Sequence, residues 1–126
     1  MKFLLLLLSL VPIISNADSL KCVSEVRHFC NDFEPCLRNL DNEKSTYSIK
    51  FASKNIFVVK KISENETSRW SAELVNKRND GTNTYLEHGG ALTLLTINAS
   101  KSRFVLLMPG ADKNSTYSQV EIGICK

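Results

Sequence analysis

At 126 residues and a formal charge of +3, the chain has room for one domain. Its 16 Lys and Arg are interspersed with 13 Asp and Glu, which describes a solvated surface and excludes the clustered basic patch with interleaved aromatics of a nucleic-acid binder. There is no internal repeat and no low-complexity tract.

The first element is a leader. "MKFLLLLLSLVPIISNADS" has Lys2, an apolar run from Phe3 to Ile14 interrupted near its end by Pro12, and then small and polar residues. The run is about a dozen residues, too short for the roughly twenty of a membrane-spanning helix, so residues 1–17 read as a secretory signal peptide and not as a stable membrane anchor. Ser15 and Ala17 set the expected cut after Ala17. A bacterial lipoprotein site at Cys22 is the rival, but "SLK" before it puts Leu20 and Lys21 where small residues are needed. Residues 18–126 then form a single secreted or periplasmic β-domain of about 109 residues, a size at which covalent staples help a modest core.

A first strand is expected near Leu20 to Arg27, and it runs into the densest chemistry of the chain, "CVSEVRHFCNDFEPC". Cys22, Cys30, Cys36 and Cys125 are an even set in an oxidising compartment, so two disulfides are expected. Of the three pairings we favour Cys30 with Cys36, a short loop stiffened by Pro35, and Cys22 with Cys125, which ties the ends of the domain together. On that reading Asp32 and Glu34 face water. A zinc site joining His28 to these cysteines is the sharper alternative. Cys22, Cys30 and Cys36 are separated by seven and five residues, whereas structural zinc ligands usually pair about two to four apart. A nucleophilic cysteine with His28 as base would need a free thiol and a third, orienting group. From Asn31 to Lys44 the pattern fits either a short helix or an irregular loop.

Beyond Thr46 apolar residues alternate with polar ones between turns, the period-two signature of half-buried strands. "TYSIKFA" puts Tyr47, Ile49 and Phe51 on one face. "NIFVVKKI" divides into Ile56 with Val58 and Phe57 with Val59. "RWSAELV" groups Trp70, Ala72 and Leu74, and Asp80-Gly81 suits a tight hairpin. "TYLEH", "ALTLLTI", "SRFVLLM" and "YSQVEIGIC" complete a set of about eight strands with turns every eight to twelve residues. The fold class is therefore all-β, a small antiparallel meander closed as a barrel or packed as a sandwich and clasped by disulfides. In the last strand Val120, Ile122 and Ile124 are expected on the inner face, which turns Cys125 outward. Phe51, Phe57, Trp70 and Phe104 are expected to fill the interior.

Catalytic signatures are missing. "LEHGG" sets His88 beside Glu87, but neighbours in a strand point to opposite faces and the glycines suit a turn. "NDGTN" has oxygen ligands at alternating positions, yet lacks the first Asp and closing Glu of a calcium loop. There is no nucleophile elbow, no phosphate-cradling glycine loop and no pair of carboxylates placed for glycoside hydrolysis. Sequons at Asn65, Asn98 and Asn114 fall in expected loops.

The cysteine layout resembles that of uncharacterised small exported proteins of alphaproteobacteria. The likeness lies in the opening cysteine block with Glu34 inside its second loop, the late "LTI" strand, here "LLTINAS", and the terminal "GIC" of Gly123 to Cys125. The architecture also resembles that of periplasmic lysozyme inhibitors, small disulfide-closed β-barrels of about this size. Where those carry serine and glycine before an aromatic residue, this chain has "TSRW" and "NTYLEHGG". The resemblance implies a fold and brings no activity with it. The expected role is binding of a protein or glycan, with inhibition of a secreted enzyme as one form of it, through loops such as "RNDGTN", "HGG" or "PGADKNS". A small-ligand carrier is the alternative, and a hydrolase using His28 or His88 stands behind both. No cofactor or metal is expected, and a monomer is.

Overall fold

A computed structural model of the chain describes residues 18–31, 36–39, 44–89, 92–111 and 113–126. Residues 1–17, the expected leader, together with Asp32 and Glu34 lie outside the described residues.

Nine strands follow in chain order: β1 (Ser19–Asn31), β2 (Leu37–Asn39), β3 (Thr46–Ala52), β4 (Asn55–Lys61), β5 (Thr67–Lys77), β6 (Asn83–Glu87), β7 (Leu94–Ile97), β8 (Arg103–Ala111) and β9 (Thr116–Cys125). The described residues contain no helix. Every strand from β3 to β9 pairs antiparallel with the next, β3 pairs with β1, and β9 pairs back onto β1. Eight strands thus close a barrel, and closure removes the edges that would otherwise invite association. The ninth, β2, falls in the segment that the sequence left open between helix and loop. It lies along the upper part of β1 through Arg27, His28 and Phe29.

Alternation selects what goes inside. Ile49, Ile56, Val58 and Leu95 are each 1% exposed or less, and full burial of such a side chain contributes roughly 1.5–3 kcal/mol. The four aromatic rings expected in the interior divide. Phe104 is buried, Phe51 and Trp70 pack partly against the core near opposite ends, and Phe57 is 53% exposed. Phe57 stands between Ile56 and Val58 on one strand, and only one parity of a strand can face inward.

The last strand corrects a second expectation. Glu121, Gly123 and Cys125 are the buried residues of β9, while Val120, Ile122 and Ile124 lie outside and are half-covered by their neighbours. Gly123 sits opposite Phe104, and a Cβ there would run into the Phe104 ring and the Val23 carbonyl. The missing side chain makes room for the ring, which packs edge-on against Tyr47 at 5.1 Å. Cys125 therefore points inward, directly across from Cys22, and the two form a disulfide at the seam between first and last barrel strands. A second disulfide joins Cys30 to Cys36 and ties the upper end of β1 to the start of β2. Both favoured pairings are present and no thiol is free. Such bonds suit an oxidising extracellular or periplasmic environment.

The meander sorts the turns. Those at 53–54, 78–82 and 98–102 lie at one end, called lower, with Asp18 and Lys126. The strand ends joined by the connections after β4, β6 and β8 lie at the other, upper end. "RNDGTN" is thus at the opposite end from "HGG" and "PGADKNS", and the three cannot form one loop surface.

Candidate functional site

The upper half of the barrel holds the polar chemistry, and a single extra residue puts it there. The β1–β9 register runs Cys22 with Cys125, Val23 with Ile124 and Ser24 with Gly123, then shifts so that Val26 faces Ile122. Glu25 is the extra residue of a β-bulge. Glu25 and Val26 both lie on the outer side, which reverses the parity of everything above them. Arg27, which would otherwise point to solvent, is turned into the barrel opposite Glu121.

Glu121 is fully buried. Its carboxylate accepts hydrogen bonds from Arg27 Nη2 at 3.4 Å and Lys60 Nζ at 3.2 Å, and Arg27 Nη2 also donates to Ser45 Oγ at 3.0 Å. Lys60 arrives because Ile56, Val58 and Lys60 share the inward face of β4. Its ammonium lies 5.3 Å from the centre of the Tyr47 ring, within cation–π range. Burial by itself would raise the Glu121 pKa. The Tyr47 hydroxyl, Lys60 and Arg27 outweigh it and hold the carboxyl below its usual range. Burial pushes the Tyr47 hydroxyl far in the other direction, and the neighbouring carboxylate adds to that. The Tyr47 hydroxyl lies near Glu121 without a hydrogen bond of good geometry, so the direct contacts to the carboxylate are those of Arg27 and Lys60.

Above this network the barrel opens into a mouth of about 220 Å³ lined by Lys60, Ile62, Ser68, Trp70, Glu87, Thr93, Leu106 and Met108. One wall continues upward. β3 leaves β1 at Val23, and β7 leaves β8 at Leu107. Beyond those points β2, β1, β9 and β8 project as a ribbon. Its inner face carries Phe29 and Tyr117, stacked at 6.3 Å with 24° between ring planes, and 36% and 43% exposed. Gln119 is directly across from Phe29 on the same face, and the Tyr117 ring covers Gly110. The Cys30–Cys36 bond braces this ribbon near its tip. "CNDFEPC" is a clasp.

The two histidines are not brought together. His28 faces outward across from Val120, and His88 is exposed in the upper turn between β6 and β7. Neither lines the mouth. Glu87 does, with its side chain directed inward and His88 directed away, as expected of adjacent strand residues. At the lower end, Asp80 Oδ1 accepts the Thr82 amide at 2.8 Å and Gly81 takes φ 89°, a hairpin turn as the sequence suggested. Thr82 N–H is the first cause of the lowered Asp80 pKa, with Arg78 a lesser one. Among the described residues no cluster of three or more His, Cys, Asp or Glu could hold a metal ion.

Arg27, Lys60 and Glu121 were not singled out in the sequence. A signal for Glu121 was nonetheless present. Once Cys22 bonds Cys125 across a shared face with Leu20, position 121 must face inward too. Nothing local announced the bulge. No family model matches the chain, and no curated protein matches it.

Proposed function

We propose that this chain is an exported binding domain, secreted or periplasmic, that recognises a protein or glycan through the barrel mouth and the ribbon above it. The observation that carries this is the stacked, solvent-facing Phe29–Tyr117 pair on a disulfide-braced ribbon. Exposed aromatics held rigid lose little entropy on contact, which makes them effective anchors for recognition. The carrier reading is less well supported. The lower barrel is packed with side chains, and the mouth, at about 220 Å³, is below the range of roughly 300–1,000 Å³ in which a small molecule is engulfed. A histidine-based hydrolase has still less behind it, since neither histidine lines the mouth. Inhibition of a secreted enzyme remains one form the role can take.

The test is binding of the purified chain to a panel of exported hydrolases, lysozyme among them, and of cell-wall and storage oligosaccharides. Saturable binding to at least one member, lost in the double variant Phe29→Ala/Tyr117→Ala, is expected. Binding that survives this change but is lost on altering 78–82 would move the site to the other end and overturn the reading, as would no binding to any member.

A further inference from the structure

The mouth has a definite chemical character. Its lining includes one indole, Trp70, and one thioether, Met108. Hydroxyl groups come from Ser68 and Thr93, an ammonium from Lys60 and a carboxylate from Glu87. Glu87 has no side-chain partner among the described residues, whereas Lys60 is already held by Glu121. Among the described residues, the four charges at and beneath the mouth, Arg27 and Lys60 against Glu121 and Glu87, cancel. A site whose described charges cancel, rich in both donors and acceptors and lined by an aromatic side chain, does not select an ion. It suits a ligand with an apolar face and a rim of hydroxyls, each of which donates and accepts.

Resting on the binding role proposed above, we infer that the ligand is a neutral oligosaccharide. One sugar ring enters the mouth against Trp70, with Glu87, Ser68 and Thr93 holding its hydroxyls, and a following ring lies on the Phe29–Tyr117 pair. The spacing allows it. Met108 lines the mouth, and Gly110, covered by Tyr117, is the next residue on the same face of β8. Two residues along a strand span roughly 7 Å, within reach of consecutive rings of one chain. The shallow volume fits this mode, because only one ring needs to be enclosed while the rest of the chain lies along the open ribbon.

Trp70 is the only tryptophan of the chain, so its fluorescence reports occupancy of the mouth directly. The full chain, disulfides intact, is titrated with tetrasaccharides of glucose, mannose and N-acetylglucosamine and with an oligouronate as the charged counterpart. The expected result is a saturable change in Trp70 emission with one neutral series, with the oligouronate weaker. Calorimetry should show Glu87→Gln weakening that binding about tenfold or more, since hydrogen bonds to a charged group are stronger than those to a neutral amide. Phe29→Ala should weaken binding of the tetrasaccharide but not of the monosaccharide, and Arg78→Ala, at the lower end, should change neither. Should no sugar perturb Trp70 while lysozyme or another hydrolase of the panel does, the glycan inference fails and the binding role stands. Should neither do so, both fail.

Discussion

The two halves of one barrel solve different problems with the same strands. In the lower half the inward positions are mostly apolar or aromatic, with Ser24 a small polar exception, and the seam is covalent through Cys22 and Cys125. In the upper half the inward positions become Arg27, Lys60 and Glu121, and the packing stops at an open mouth. Charges taken out of water are costly even when paired, and well-packed apolar residues of similar volume often do as well or better. The lower half therefore carries the stability, and the upper half gives some up to hold polar groups beneath the open mouth.

The contrast can be broken first at the seam. Replacing Cys22 and Cys125 by Ala opens a cross-link spanning 103 residues and is expected to cost roughly 4–5 kcal/mol in the chain-entropy account, read as a lower urea midpoint. The same change at Cys30 and Cys36, six residues apart, should cost about half as much. Equal losses would show that the ribbon and the barrel do not differ as described.

Next comes the buried network. Glu121→Gln leaves Arg27 and Lys60 facing each other without a counter-charge, and a loss of about 3–5 kcal/mol is expected. Replacing all three charged residues by Met should recover most of it, or even stabilise the fold. Chemical denaturation of the single and triple variants separates the worth of the network from the penalty for breaking it. If the triple variant is as unstable as the single one, the network is a structural necessity and not a concession to function.

The same network should leave a mark in pH dependence. Because the folded pKa of Glu121 lies below its ordinary value of 4.5, its contribution is complete above that value and is lost as pH falls through the lowered one. The advantage of the wild type over Glu121→Gln should shrink between about pH 5 and pH 2. Tyr47 has its pKa raised from 10.0, so its contribution is complete below about pH 10 and is lost on going higher. Thermal melts at acid and alkaline pH check both signs.

The smallest effect belongs to a lower turn. Asn98 Oδ1 accepts the amides of Ser102 and Arg103, both at 2.9 Å, while its Nδ2 donates to Ser100 Oγ and Ser102 Oγ. Asn98→Ala should cost about 1–2 kcal/mol in unfolding free energy. Because the nitrogen that would carry a glycan is engaged in the turn, expression in a glycosylating host should leave Asn98 unmodified, as peptide mapping would show.

Much of the architecture was legible before any coordinates. Strict alternation in "TYSIKFA" and "NIFVVKK", a turn at Asp80-Gly81 and an even set of cysteines are local or countable signals, and each reports directly on backbone period, turn geometry or covalent linkage. The eight expected strands follow from them, while the choice of a barrel over a sandwich and of the favoured disulfide pairing over its two rivals came with the structure. Where the sequence misled, it did so because hydrophobicity names a face without saying which side of the sheet is inside. "VEIGI" offers Val120, Ile122 and Ile124 as the natural core, yet they lie outside, because the register closed by Cys22 and Cys125 assigns the inner parity to Glu121 and Gly123.

The sequence by itself determined the period of the strands, the places where the chain turns and the supply of cysteines, since all three depend on neighbours along the chain. Only the tertiary structure decided which parity faces inward, that one added residue at Glu25 re-aims Arg27, and that Lys60 and Glu121, 61 residues apart in sequence, meet beneath an open mouth. Those outcomes depend on how distant strands align across the closed barrel, a long-range condition that no single stretch of sequence encodes.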